Sequence, residues 1–173
     1  LSRVGSAAVD AKVDFNELNA LITAVQQTTG RGGAVIGNAL KTIFTRLQRE
    51  STLEALERFN VTVRDVQGNI LPATQVLDNF AGKYDKLADS TQAYLREQVA
   101  GVFQANILSA ILKDLNKEQS TFSRALDASV NATENAAQAN EKLNQTMSAL
   151  LQNTATEFAK LQKNLGDAAF LDL

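Results

Sequence analysis

The chain has 173 residues, 45% of them hydrophobic and 21% charged, the balance of a folded rather than a disordered protein. It contains no His, no Cys and no Trp, which excludes His- or Cys-ligated zinc, a Cys/His nucleophile, a Ser-His-Asp triad and a disulfide framework. With 17 basic against 19 acidic residues the net charge is −2, so the chain as a whole is not built for nucleic acid or anionic membrane.

The chain opens on Leu1 rather than Met, as expected of a processed protein or of a window cut from a longer chain. The first clear element begins at Asp14. Asp14 followed by Glu17 forms a capping box, in which each side chain can meet a backbone amide of the other end of the first turn. Phe15, Leu18, Leu21, Ile22 and Val25 follow at helical spacing, and Gly30 suits the left-handed position that closes such a helix. After Arg31-Gly32-Gly33, a second helix carries Val35, Ile36, Leu40, Ile43, Phe44 and Leu47 on one side, with Lys41, Arg46 and Arg49 largely off that stripe.

Ser51-Thr-Leu-Glu54 reads as a second capping box, opening a short helix with Leu53, Leu56 and Phe59. Glu54 and Arg58 are an i,i+4 pair in the favourable order, worth about 0.3 kcal/mol. Val61-Thr62-Val63 and the turn signal Gln67-Gly68-Asn69 then predict a small β-hairpin over about 61–71, with Pro72 marking its exit. Helical pattern resumes with Val76, Leu77 and Phe80. Asp89-Ser-Thr-Gln92 is a third box-like start, followed by Leu95, Val99, Val102 and Phe103, with Gly101 as a break or close-contact point. The uncharged stretch 98–112 is too short for a membrane span, and Ile107, Leu108, Ile111, Leu112 and Leu115 predict the most buried helix.

Beyond Leu115 the composition changes. Over 128–156, 19 of 29 residues are Ala, Asn, Gln or Thr, and neither Gly nor Pro occurs over 117–165. This predicts one long helix, roughly 70 Å if straight, or a helical hairpin bent near Asn140. A 3–4 repeat runs through Leu126, Val130, Thr133, Ala137, Asn140, Asn144, Met147, Leu151, Thr154, Phe158, Leu161 and Leu165. Its C-terminal part, Leu151, Phe158, Leu161 and Leu165, is the candidate self-association seam of a coiled coil. The predicted fold class is therefore mainly α: a multi-helix array with one small hairpin and a long C-terminal helix or helical hairpin. Its domains are 1–116, the helical core region, and 117–173, a polar, Ala-rich arm.

Few residues suggest chemistry. Thr29-Gly30-Arg31-Gly32-Gly33 before a helix resembles a phosphate loop, but Leu40 rather than Gly precedes Lys41-Thr42, and Val35 stands where the dinucleotide pattern needs Gly; an inter-helix loop is the expectation. Arg31, Lys41, Arg46, Arg49, Arg58 and Arg64 make that region basic. Glu50, Glu54 and Glu57 dilute it, which favours a solvated face or an acidic protein partner over nucleic acid. The pairs Glu54/Glu57 and Asp85/Asp89 could do acid–base work only in a cleft that perturbs them; at helix starts, capping and the macrodipole account for them. Phe15, Phe44, Phe59, Phe80 and Phe103, at helical spacing, are expected in the core. No catalytic, cofactor-binding or metal-binding residue is assigned, and no enzyme activity is expected.

The stretches Phe15-Asn-Glu-Leu-Asn-Ala-Leu-Ile22, Gln27-Thr-Thr-Gly30 and Gly37-Asn-Ala-Leu-Lys-Thr-Ile-Phe-Thr-Arg-Leu-Gln48 resemble the core region of phage tail tape measure proteins. So do Phe59-Asn-Val-Thr-Val-Arg-Asp-Val-Gln-Gly-Asn69, Pro72-Ala73 to Asp78, and Lys83-Tyr-Asp-Lys-Leu87 onward to Gly101. The resemblance covers about 9–115 and departs at Asn60, where Gly is expected. It implies a structural virion protein of the tail tube lumen, present in the host cytoplasm during assembly. Its helical length would set tail length, and it would leave during genome ejection. The implied partners are tail tube, tail tip and tail assembly chaperone proteins and further copies of itself, with host membrane contact during ejection and no sequence-specific nucleic acid. The competing expectations are a generic helical adaptor and a cell-wall hydrolase domain.

Overall fold

The computed structural model describes residues 4–169; from position 150 onward it describes the side chains of Gln152, Asn153, Thr156 and Lys160. The chain divides into two compact units, Leu1–Val130 and Asn131–Leu173. The first unit holds α1 (Gly5–Asp10), α2 (Phe15–Thr29), α3 (Gly33–Leu47), α4 (Glu50–Glu57), α5 (Ala73–Tyr84), α6 (Asp89–Ala100) and α7 (Ala105–Leu115). A single 3-10 turn, Val102–Gln104, joins α6 to α7, and α8 (Thr121–Ala169) begins in the first unit and makes up the described part of the second.

The core is built around α7, which packs on α2, α3, α5 and α6. Its Ile107, Leu108, Ile111 and Leu112 are buried, as the dense apolar stripe predicts. Against them stand the buried faces of α3 (Ile36, Leu40, Ile43, Phe44, Leu47) and α5 (Val76, Leu77, Phe80). The Phe80 and Tyr84 rings meet edge to face with centroids 5.4 Å apart, and burial raises the Tyr84 hydroxyl above the usual tyrosine range.

Helix α2 begins as its sequence dictates: the Asp14 carboxylate accepts from Glu17 N at 2.8 Å and the Glu17 carboxylate from Asp14 N at 2.9 Å. Gly30, at φ 65°, closes it in the left-handed conformation. Helix α1 precedes the first element expected from sequence. Val4, Ala7, Ala8 and Ala11 form a buried 3–4 stripe of mostly small side chains, packed on α3.

Two capping boxes do not form. Helix α4 starts at Glu50, one residue ahead of Ser51, and Thr52 is buried within its first turn. Ala88 rather than Asp89 caps α6, and the Gln92 amide is turned back to donate to the Tyr84 and Leu87 carbonyls at the end of α5.

The expected hairpin at 61–71 is also absent: among the described residues, β pairing is confined to one isolated antiparallel bridge between Arg64 and Ile70. The reason lies in where the backbone groups go. Val61 N closes onto the Leu56 carbonyl of α4, and the Thr62 carbonyl accepts from the Asn79 side chain. Asp65 folds over its own loop, accepting from Gln67 N at 2.9 Å and Asn69 N at 2.8 Å. Pairing therefore stops at the two backbone bonds that flank the bridge, Leu71 N to the Val63 carbonyl and Asp65 N to the Asn69 carbonyl, while Val61 and Val63 are buried in the helical core. Asn60, at the junction where Gly is expected, has φ 59°, a left-handed position that Asn tolerates better than other side chains.

The aromatic expectation divides. Phe44 and Phe80 are fully buried and Phe59 packs partly against the core, but Phe15 is 63% exposed at the first position of α2 and Phe103 is 91% exposed. Helical spacing misplaced Phe103 because Gly101, at φ 70°, breaks the helix two residues before it and turns Val102 and Phe103 outward.

Candidate functional site

The most constructed feature of the first unit is the start of α8. Asp114, in the last turn of α7, is 1% exposed, and its carboxylate faces the first turn of α8. One oxygen accepts from Thr121 N at 3.0 Å and the other from Phe122 N at 2.9 Å. The buried Ser120 hydroxyl accepts from Ser123 N at 3.0 Å, so the first three amides of α8 each have an oxygen partner. A carboxylate at this position also opposes the positive end of the helix dipole. Lys117 Nζ lies 3.6 Å from the same carboxylate at the surface. Phe122 tucks its ring partly against the core, and Ser129 donates to Asn16 Oδ1 of α2 at 2.8 Å.

Beside this junction is a cleft of about 550 Å³, lined by Glu17, Thr74, Asp78, Lys117, Phe122 and Ser123 among others. Glu17 is already engaged there, accepting from the Thr74 hydroxyl at 2.8 Å as well as from Asp14 N. Its carboxylate ties the starts of α2 and α5 together. The arrangement fixes helix starts relative to one another, and the bonds of Asp114, Ser120 and Glu17 are those of helix starts.

The other residues singled out in the sequence are dispersed. Thr29 in the glycine-rich loop donates to the Val25 carbonyl and accepts from Arg31 N. Glu57 is bound by Arg64 at 3.2 Å, and Glu50 by the same guanidinium at 2.7 Å, which raises the Arg64 pKa. Asp85 accepts from Asn116 Nδ2 at 2.7 Å, linking the end of α5 to the end of α7, and Asp89 sits in the first turn of α6. The Asp65 carboxyl is held below the usual carboxylate range, first by the Asn69 side-chain amide and then by backbone amides. Among the described residues no cluster of three or more acidic side chains could hold a metal ion, and no helix is long and apolar enough to cross a membrane.

The side chains of the seam residues Leu151, Phe158, Leu161 and Leu165 lie outside those described. The preceding stretch, 131–149, is helical and exposed at every position, with Leu143 57% and Met147 53% accessible. Sequence reasoning missed Asp114 altogether. No local rule finds a cap supplied seven residues upstream from the preceding helix, although a lone carboxylate inside an apolar stripe was a signal that it needed a partner.

Residues 1–101 match the family model described as phage-related minor tail protein. No solved structure matches the chain.

Proposed function

The chain belongs to the phage-related minor tail protein family, which makes it a structural component of a phage tail, and on that premise we propose that it is a segment of a tail tape measure protein. The observation that carries the finer reading is α8. It runs unbroken for 49 residues, and its side chains over 131–149 are exposed throughout. A helix that buries so little of itself contributes extent rather than core: residues 131–169 alone rise about 58 Å at 1.5 Å per residue.

In this proposal the protein works without catalysis. Helical length sets the length at which tube polymerisation stops, the protein lies in the tube lumen, and it leaves during ejection. Its partners are tube, tip and chaperone proteins and further copies of itself, joined along the seam of Leu151, Phe158, Leu161 and Leu165. The test is an in-frame deletion of 14 residues within 131–149 of the parent gene. Tails should shorten by about 21 Å in electron micrographs. Unchanged tail length would refute the tape measure reading and favour a helical adaptor. Separately, Leu151→Ser with Leu161→Ser should lower the oligomeric state in solution; an unchanged state removes the seam. Release of peptidoglycan fragments by the purified protein would overturn the non-catalytic assignment.

A further inference from the structure

Helix α3 presents a solvent face unlike any other in the first unit. From Leu18 to Arg49 the sequence contains no acidic residue but four cations, Arg31, Lys41, Arg46 and Arg49, in a chain whose overall charge is −2. Asn38, Lys41 and Thr45 recur at helical spacing on its exposed side, Arg49 is exposed just past its end as the N-cap of α4, and Arg31 is exposed in the loop that leads into it. Asn38, Lys41, Thr42, Thr45, Arg46 and Arg49 line a shallow groove of about 350 Å³. Arg46 is fixed at its edge, donating to the Glu97 and Gln98 carbonyls at the end of α6.

In sequence, Glu50, Glu54 and Glu57 stood as the counter-charge to this face. The structure takes two of them away, because Glu50 and Glu57 both bind Arg64. Of the other acids on elements packed against α3, Glu17 and Asp114 are engaged at helix starts, which leaves Asp10 on α1, Glu54 on α4 and Asp89 and Glu97 on α6. No ion pair or hydrogen bond engages the Lys41 ammonium or the Arg49 guanidinium among the described residues.

We propose that this face of α3 binds the phosphate backbone of duplex DNA without reading its sequence. Two features favour a nucleic acid over a protein. The groove offers side-chain donors and cations with no carboxylate, which is the chemistry of backbone contact. It also carries no aromatic side chain, whereas protein interfaces are enriched in buried Trp and Tyr anchors. The inference stands apart from the length-setting role: DNA binding can fail while tail length still follows α8, and the reverse.

With Arg31, Lys41 and Arg49 each meeting one phosphate, the logarithm of affinity should fall with the logarithm of salt at a slope of about −2.7. That is roughly a 40-fold loss between 50 and 200 mM salt. The probe is a fluorescent 20-base-pair duplex of random sequence, titrated with the whole chain and followed by anisotropy. Lys41→Gln with Arg49→Gln should lower the slope by about 1.8 and abolish binding at 100 mM salt. Lys83→Gln with Lys86→Gln removes the same charge from the end of α5 and should leave binding intact. All four side chains are on the surface, and an unchanged circular dichroism melt confirms that each variant folds. No binding at 20 mM salt overturns the proposal. So does equal loss in both double variants, which would make the effect one of net charge, or capture of polyglutamate but not DNA, which would assign the face to an acidic protein.

Discussion

Replacing Asp114 with Ala removes the cap that α7 places over α8, and the structure sets the size of the loss. Two bonds to an ionised acceptor disappear, at 3.0 and 2.9 Å, and the Thr121 and Phe122 amides are left to a half-buried site. Losing a cap typically costs about 1 kcal/mol, and a hydrogen bond to a charged group is worth about 1.5–3 kcal/mol. Water reaching the two amides recovers part of this, so the expected destabilisation is about 2–3 kcal/mol. The neighbouring Lys117 contributes little: it is exposed and 3.6 Å away, and Lys117→Ala should cost under about 0.5 kcal/mol. Asp114→Asn keeps one acceptor and should fall between the two. Urea unfolding followed by tyrosine fluorescence is the assay, since the chain has no Trp and Tyr84 is buried in the first unit. Amide exchange at Thr121 and Phe122 reports the cap directly. A loss below about 0.5 kcal/mol for Asp114→Ala, or unchanged protection of those two amides, would refute the view that this carboxylate holds the start of α8.

Gly101→Ala should cost about 2 kcal/mol in the same unfolding assay, because φ 70° with ψ 169° is open to glycine almost alone; its Cβ would also lie 3.1 Å from Arg46 Nη2. Trimming Arg46 to Ala in that background should fail to restore stability, since the backbone term remains. At Asn60, with φ 59°, Gly should be nearly neutral and Ala should cost about 1 kcal/mol by thermal melting. Asp65 titrates below the ordinary carboxylate value near 3.9, so its stabilisation of the loop is fully present above that pH and lost as pH falls through the lower folded value. An NMR titration of the Asn69 amide should show a midpoint below about 3.9, and one at or above it would count against the hydrogen bonds described. Phe44→Ala should lose about 3–5 kcal/mol to cavity formation, while Phe103→Ser, at a side chain 91% exposed, should leave the melt unchanged.

What was legible in the sequence was what large apolar side chains announce. Helices α2, α3, α5 and α7 follow from Leu, Ile, Val and Phe recurring at 3–4 spacing, and the same stripes form the core. Helix α1 has a stripe too, but it is mostly Ala, whose small side chain leaves a weak apolar signal. Local chemistry was less decisive because it competes with tertiary demands. Ser51 and Glu54 make a plausible box, yet Thr52 is 2% exposed, which draws the residues around it inside the helix. Gln92 could reach its own helix start but meets two orphan carbonyls at the end of α5 instead. The β-branched run at Val61 and Val63 reads as a strand, although both side chains are held by the helices and the Asp65 carboxylate takes two amides of the turn. In each case the residues were noticed and their partners were not, because local spacing does not show which of several available partners tertiary packing will favour.

The two units also answer to different physics, and the difference bears on what length can mean in this protein. In the first unit every helix length is constrained, since adding a residue to α3 would rotate Phe44 or Leu47 by about 100° out of a core in which both are essentially fully buried. Over 131–149 no side chain is buried, so an insertion there displaces nothing that is packed. Stability in that stretch rests on intrinsic propensity, which Ala supplies best, while the many Asn and Thr residues oppose it by a few tenths of a kcal/mol each. Residues added in sevens would keep the 3–4 repeat in phase while lengthening the helix by about 10 Å each time. A seven-residue insertion after Asn140 should therefore leave the tyrosine-detected unfolding of the first unit within about 0.3 kcal/mol of the parent, as expected for distant, independent sites. The same insertion within α3 should abolish that transition. A chain that separates a fixed core from a helix of adjustable length can have its reach changed by mutation without losing its fold.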